Sequence, residues 1–171
     1  DADLGLQGSD LRAAERTFQL MRQVAGRAGR AEKRGVALLQ TYQPEHPVIR
    51  AILAGDEVGF WTAESDERRL AGVPPFGRMA GIILSSPDPQ AVFDLGNDMA
   101  RRDGPLRQIN AQVFGPAPAP IARIRGRHRV RLLVKADKGV ALQPALKRWI
   151  AQFRLPREAR LAVDIDPQSF Y

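Results

Sequence analysis

Six residues near the middle of the chain, Gly72-Val73-Pro74-Pro75-Phe76-Gly77, limit most strongly what this sequence can fold into. Proline fixes φ and has no backbone N–H, so neither an α-helix nor a central β-strand can run through the segment. A chain of 171 residues has room for one domain or for two small ones. We therefore expect one domain over 1–71, a linker over 72–77 and a second domain over 78–171.

The apolar pattern before this segment predicts an α/β arrangement. Its elements are a strand end at 1–6, a helix from Ser9 or Asp10 to about Ala28, a strand at 35–42, a helix after Pro47 and a helix over 56–70. We expect the strand at 35–42 to be buried on both faces, because its apolar run is almost continuous. Alternating strands and helices indicate the edge of a parallel sheet.

The pattern after the segment predicts an α+β domain. It gives strands at 78–85, 127–136 and 161–165, an extended proline-rich stretch at 111–125, and helices at 89–102 and 140–153. The order β-α-β-β-α-β is the split βαβ, or ferredoxin-like, arrangement. The fold class predicted for the whole chain is therefore α/β followed by α+β.

The segment Gln23-Val24-Ala25-Gly26-Arg27-Ala28-Gly29-Arg30 ends the first predicted helix. Three residues are almost one helical turn, so Arg27 and Arg30 would point the same way. Gly26 and Gly29 lack side chains and would let a backbone or a phosphate come close. Two fork-shaped cations beside a bare backbone suit a nucleotide triphosphate. The alternative is a solvated basic helix end, where arginine is also favoured.

The pattern Gln-x-x-Gly-Arg-x-Gly-Arg resembles the sixth conserved motif of superfamily 2 helicases. The segments that accompany it are Gln40-Thr41-Tyr42-Gln43-Pro44-Glu45-His46-Pro47, the 72–77 segment, Gly115-Pro116-Ala117-Pro118-Ala119-Pro120 and Asp164-Ile165-Asp166-Pro167. From Asp1 to Phe170, this order resembles the C-terminal part of the primosomal protein N′ family of replication-restart helicases. The resemblance implies a partial RecA-like helicase lobe 2, from the motif V/VI region onward, in 1–71. It implies a DNA- and partner-binding domain in 78–171.

The activity that the resemblance implies is ATP-dependent 3′–5′ unwinding of DNA, which restarts stalled forks through primosome assembly. Arg27 and Arg30 would reach the γ-phosphate as arginine fingers, and Gln23 would orient the helix or contact the attacking water or the nucleotide. Gly26, Arg27, Gly29 and Arg30 would form the nucleotide contact. The full-length protein would use ATP and Mg²⁺, and its zinc would lie outside this chain.

Several motifs that this chemistry requires are missing from the sequence. No Gly-x-x-x-x-Gly-Lys-Ser/Thr loop is present to hold a β-phosphate, no acidic motif is present to hold Mg²⁺, and the chain has no cysteine. We therefore expect the chain to be a fragment cut near the fifth helicase motif. Alone, it should bind no metal or cofactor and should not hydrolyse ATP.

Basic residues alternate along 123–131, at Arg123, Arg125, Arg127, Arg129 and Arg131. Residues of equal parity share one face of a strand, although a turn near Gly126 could break that parity between the two arms. The net charge of +7 also favours a polyanion partner. We predict that these five arginines bind DNA, branched or forked by the resemblance. The alternative is a solvated hairpin whose arginines keep an edge strand from pairing with other chains.

Other residues have weaker predictions. By the resemblance, Lys138 and Gln143 would contact the acidic tail of single-stranded DNA-binding protein, one of several primosome partners. His46 is interpreted as a helix-start or loop contact rather than a catalytic group, and Asp166 as a cap before Pro167 rather than half of a metal pair with Asp164. The apolar runs are far shorter than the roughly 20 residues that span a bilayer, so we expect no membrane contact. The lack of cysteine fits a cytoplasmic location.

A function of another class remains open at the level of the sequence. The chain could be a non-catalytic basic module that binds nucleic acid, or a protein-interaction domain that meets acidic tails. In either case, the Gly-Arg motif would be only a basic helix end.

Overall fold

The computed structural model describes residues 3, 6, 12–28 and 36–168. The chain folds as two compact units, residues 1–67 and residues 68–171. The Gly72–Gly77 segment lies inside the second unit, where the Gly77 amide donates to the Val73 carbonyl at 3.0 Å. The Lys135 ammonium donates to the Ala71 carbonyl at 3.2 Å, which ties the chain before this segment to the sheet described below.

Three helices form the described part of the first unit: α1 (Ala13–Ala28), α2 (Pro47–Ala54) and α3 (Glu57–Ala71), which continues into the second unit. The start of α2 is capped by the His46 ring, whose Nδ1 accepts from the Val48 amide at 3.2 Å. Gly55 ends the helix in the left-handed region, at φ 66°. The interpretation of His46 as a helix-start contact is therefore confirmed.

A small aromatic cluster holds these helices together. Phe18 of α1 stacks on Phe60 of α3 with 4.0 Å between the ring centroids and 3° between the planes. Trp61 meets Phe60 edge-on at 5.0 Å, and Val48 of α2 completes the buried set. Offset and edge-on aromatic pairs contribute about 0.5–1.5 kcal/mol beyond the area that they bury. Among the described residues this cluster has three buried members, so it provides much less apolar burial than the core of the second unit.

The strands predicted in the first unit are wrong where the structure describes them. Asp3 and Leu6 lie in a turn, with the Leu6 amide donating to the Asp3 carbonyl, and 36–42 form no strand. Val36 and Leu38 are 83% and 95% exposed, although the sequence predicts a strand buried on both faces. A parallel strand gains its burial and hydrogen bonds from flanking strands, and no described residue of this unit supplies one.

The second unit is built on a four-stranded sheet. In chain order its elements are β1 (Gly77–Ser86), α4 (Pro89–Arg101), α5 (Gly104–Arg107), β2 (Gln112–Ile124), β3 (Arg127–Asp137), α6 (Leu142–Ile150) and β4 (Arg160–Ile165). The strand order is β2-β3-β1-β4, and every neighbouring pair is antiparallel. The predicted alternation of strands and helices is found here, with the four-residue helix α5 added. Proline-rich β2 lies at an edge, where missing amide donors break the fewest ladder bonds.

Even-numbered residues of the two central strands face the helices. Ile82 and Leu84 of β1 and Leu132 of β3 are fully buried, together with Met99 of α4 and Trp149 of α6. The Trp149 indole donates to the Met99 carbonyl at 3.2 Å, which satisfies its polar atom within the core. Sixteen buried residues form this one cluster. The odd-numbered positions of β3 are consequently turned to the opposite face of the sheet.

The end of β4 is fastened to the start of β1 by Asp166. Its Oδ1 accepts from the Met79 amide at 2.9 Å, and its Oδ2 accepts from the Arg78 guanidinium at 2.7 Å. Its own amide donates to the Met79 carbonyl at 2.7 Å, with Asp166 in the left-handed region at φ 48°. Asp166 therefore links two strands and pairs with Arg78, which differs from the predicted cap before Pro167.

Candidate nucleotide contact and nucleic-acid interface

The nucleotide contact predicted for the first unit lies on the last turns of α1. Gln23, Gly26 and Arg27 are all exposed there. A Cβ built on Gly26 meets nothing within 4 Å, so the bare backbone is accessible from outside. Gly29 and Arg30, the other half of the motif, lie outside the described residues.

Two arginines of α1 have different environments. The Arg22 guanidinium pairs with the Glu57 carboxylate at 3.0 Å. Among the described residues, nothing forms a hydrogen bond or ion pair with Arg27. A charged side chain held on a rigid helix without a local partner can bind an anion without first breaking an intramolecular ion pair. Arg27 is thus the cation of α1 that is suited to an external phosphate, and Arg22 has a structural partner.

The Asp3 carboxylate links the start of the chain to residues 41 and 42. It accepts from the Thr41 hydroxyl and, at 2.7 Å, from the Tyr42 amide. These hydrogen bonds lower the pKa of Asp3 below its usual value of about 4. The bond from Thr41 has the larger effect and that from Tyr42 the smaller. Asp3 therefore has a structural role in this unit, because it holds residues 41–42 against the turn at 3–6.

The net positive charge of the chain comes from the second unit, since the first unit has more acidic than basic residues. Residues 68–171 contain 18 Lys and Arg against eight Asp and Glu, whereas residues 1–67 contain eight against 11. The 33 residues from Gly104 to Ala136, which include β2 and all of β3 except its last residue, Asp137, have seven Lys and Arg and no carboxylate. A surface without acidic residues attracts polyanions without internal neutralisation.

The hairpin closes through a two-residue loop, Arg125-Gly126. Both residues have positive φ, 48° and 77°, which is the geometry of the tight turns that match the twist of a hairpin. Ile124 pairs with Arg127, and Arg123 pairs with His128. Directly paired residues share a face, so Arg123 lies on the opposite side of the ribbon from Arg127. The turn at Gly126 therefore breaks the parity of the arginines between the two arms of the hairpin.

The five arginines of the hairpin divide into two groups. The Arg127 guanidinium donates to the Ser85 carbonyl at 2.9 Å and to the Glu158 carbonyl. That of Arg129 donates to the Ile121 carbonyl at 3.2 Å. Arg131 is only 9% exposed. Arg123 and Arg125 are exposed, and no other described residue forms a hydrogen bond or ion pair with them.

The remaining predicted contacts lie at the other end of β3. Lys138 is exposed in the turn after β3, and Gln143 is exposed in the first turn of α6. The structure brings both near the N-terminal end of one helix, as the sequence order alone would. No metal-binding group of three or more His, Cys, Asp or Glu side chains occurs among the described residues. None of the described helices combines the length and apolar character that crossing a membrane requires.

Two exposed residues of the hairpin were missed by sequence reasoning. Ile121 and Ile124 are 45% and 40% exposed, beside Arg123 and Arg125. The available signal was their position: Ile121 lies just before the basic run and Ile124 lies within it, both shortly before the turn. A second missed feature is a shallow groove on the sheet, lined by Gly81, Ile83, Ser85, Arg129 and Arg160, among others.

Comparison with known proteins finds that this chain is similar to members of a single family. A family model described as the primosomal protein N C-terminal domain matches residues 69–168, which begins one residue after the start of the second unit. Similar proteins include the replication restart protein PriA of Rickettsia conorii, 41% identical over all of this chain and 26% of that protein. Those of Treponema pallidum and Bacillus subtilis are 33% and 31% identical over 97% of the chain, and over 25% and 21% of their own lengths. The chain thus spans about a quarter of the length of the curated relatives it matches.

The Asp3 hydrogen bonds predict the acid sensitivity of the first unit. A folded-state pKa below the unfolded value means that the stabilisation is present above about pH 4 and is lost as the pH falls through the folded pKa. We expect Thr41→Val, which removes the hydroxyl that donates to the Asp3 carboxylate, to raise the pKa of Asp3 toward its usual value. NMR titration of the Asp3 carboxyl carbon measures this pKa directly.

Thr41→Ser is the matched control, because it keeps the hydroxyl and should leave the Asp3 pKa low. An Asp3 pKa that is the same in the Val and Ser variants would contradict the assignment.

Proposed function

The chain belongs to the family of the primosomal protein N C-terminal domain, and we propose that it is the C-terminal part of an ATP-dependent DNA helicase that restarts replication. The observation that carries the proposal is the similarity along the whole chain to proteins named replication restart protein PriA. The helicase unwinds DNA in the 3′–5′ direction and supports primosome assembly at stalled forks, in the cytoplasm.

The first unit is the second half of helicase lobe 2. In this proposal Arg27 and Arg30 reach the γ-phosphate of an ATP that the rest of the protein holds with Mg²⁺, and Gln23 orients the contact. The exposure of Gln23, Gly26 and Arg27 supports this role, as does the absence of any ion pair between Arg27 and the described residues. An arginine in that position stabilises charge that spreads over the transferred phosphoryl group. The zinc of the full-length protein lies outside this chain.

The exposed segment 36–42 is consistent with the same proposal. In a RecA-like lobe this run is a strand of a parallel sheet whose other strands come from the remainder of the full-length protein. The exposure of Val36, Leu38 and Tyr42 is what an apolar strand would show when its neighbours are not present.

The second unit is a ferredoxin-like domain that binds DNA. Its element order and its strand order β2-β3-β1-β4 support the fold assignment. Its positive charge supports the partner, since phosphate contacts supply most of the sequence-independent affinity for DNA. Within the hairpin, Arg123 and Arg125 make the phosphate contacts, and Arg127 and Arg129 hold the strands. Lys138 and Gln143 bind single-stranded DNA-binding protein.

A non-catalytic nucleic-acid-binding module is the second candidate. It is favoured by one observation, the net positive charge of residues 68–171. The two candidates differ in what they require of α1, because a pure binding module has no use for Arg27 or Arg30.

Substitution of the motif arginines separates the candidates. In the full-length protein, Arg27→Ala and Arg30→Ala should each lower the kcat of ATP hydrolysis by about 10³-fold, as the loss of an arginine finger does, and should leave DNA affinity nearly unchanged. Arg22→Ala is the matched control on the same helix, because its guanidinium already pairs with Glu57. The 171-residue chain alone should hydrolyse no ATP.

Survival of ATP turnover within about twofold in both motif variants would refute the finger role. ATP hydrolysis by the isolated chain would show that the nucleotide site is not where we propose.

Substitution of the two exposed hairpin arginines tests DNA binding by the second unit. Arg123→Gln with Arg125→Gln should weaken binding of the chain to every DNA sequence, and should reduce the slope of log K against log salt by about two. Lys147→Gln with Arg148→Gln removes the same charge from exposed positions of α6 and is the matched control.

Arg127→Gln should behave differently. It loses the bonds to Ser85 and Glu158, so it should lower the melting temperature. Equal loss of affinity in the α6 and hairpin variants would mean that net charge, rather than the hairpin, attracts the DNA.

A further inference from the structure

The tip of the β2–β3 hairpin combines apolar and cationic side chains that are all exposed. We define the tip as residues 121–126, which include Ile121, Arg123, Ile124 and Arg125. The two isoleucines are 45% and 40% exposed, and neither belongs to the core of the unit. Burial of an isoleucine side chain contributes about 1.5–3 kcal/mol, so two exposed ones at one apex are an unused source of binding energy.

Backbone geometry and two arginine hydrogen bonds constrain the tip. Its two-residue loop has the positive φ values that suit a tight hairpin turn. Arg129 donates to the Ile121 carbonyl where β2 departs from regular pairing, between Pro118 and Arg123. Arg127 is anchored at the Ser85 carbonyl at 2.9 Å. The apex is therefore presented without the entropy loss that a flexible loop would suffer on binding.

The charges around the tip define which partner it can accept. No carboxylate occurs between Gly104 and Ala136. Glu158 lies beside the hairpin, and Arg127 donates to its backbone carbonyl. The end of a DNA duplex offers both partners, with phosphates at its edge and an apolar base-pair face at its end.

We propose that the hairpin tip binds the terminal base pair of a DNA duplex where the strands separate. Ile121 and Ile124 pack against the face of the last base pair, and Arg123 and Arg125 bind the phosphates of the two diverging strands. Apolar side chains that enter between stacked bases are a recurrent means by which proteins unstack DNA. This inference rests on the proposed DNA-binding function and adds which residues contact the last base pair and the diverging strands.

The test measures binding of the 171-residue chain to a fork, a linear duplex and a single strand of matched sequence and length. The duplex base next to the fork junction is replaced by 2-aminopurine, which fluoresces more strongly when it is unstacked. We expect fork binding about fivefold or more tighter than duplex binding, and a fluorescence rise at the junction but not at the third base pair inward.

The decisive variant is Ile121→Thr with Ile124→Thr, which keeps β-branching and changes only exposed side chains. It should bind the linear duplex within about twofold of the unaltered chain, lose the preference for the fork and lose the fluorescence rise. Val163→Thr, at another position that is 40% exposed, is the matched control and should keep both signals. Melting temperatures verify that each variant is folded.

Retention of the fork preference by the double threonine variant overturns the inference, as does a fluorescence rise that is absent or spread along the duplex in the unaltered chain. In those cases salt-dependent duplex binding would leave the proposed DNA-binding function intact. If the chain binds none of the three DNAs, both the inference and the proposed function fail.

Discussion

One-sided burial of a four-stranded sheet is the constraint on which the second unit depends. Helices α4 and α6 can cover only one face, so Ile82, Leu84 and Leu132 occupy positions of one parity and face those helices. The alternation of a strand then turns Arg127, Arg129 and Arg131 to the other face without any further choice. The cationic face of β3 is thus a consequence of the core, and the sequence satisfies both requirements in one run of residues.

The same cations serve two purposes that the structure separates. Arg127 and Arg129 donate to backbone carbonyls and fix the hairpin, while Arg123 and Arg125, next to the turn, have no described partner. Guanidinium groups can cross-link backbone carbonyls because they carry several donors in a fixed plane. Anchored arginines therefore constrain the tip, and exposed ones make it attractive to phosphate. In the first unit α1 shows the same division between the paired Arg22 and the exposed Arg27.

An element could be predicted from the sequence when its pattern and boundaries depend on residues that are close in the chain. The strands and helices of 78–165 were predictable because period-two and period-3.6 patterns stand beside proline and glycine boundaries. The strand predicted at 35–42 was wrong, because a strand buried on both faces needs neighbouring strands that no described residue supplies. Helix α5 was not predicted, because four residues are too few to show a helical period. The motif Gln23 to Arg27 was visible in the sequence, but the division of the hairpin arginines was not, since it depends on Ser85 and Glu158, which are distant in the chain.

Hydrogen–deuterium exchange of the 171-residue chain, with and without a forked DNA, identifies the surface of the second unit that binds DNA. We expect that surface to be the β2–β3 hairpin, because residues 104–136 contain no carboxylate. Added protection should concentrate in 119–131, with the amides of α4 and α6 unchanged. Protection of α1 or of the helix face, with the hairpin unaffected, would contradict this expectation.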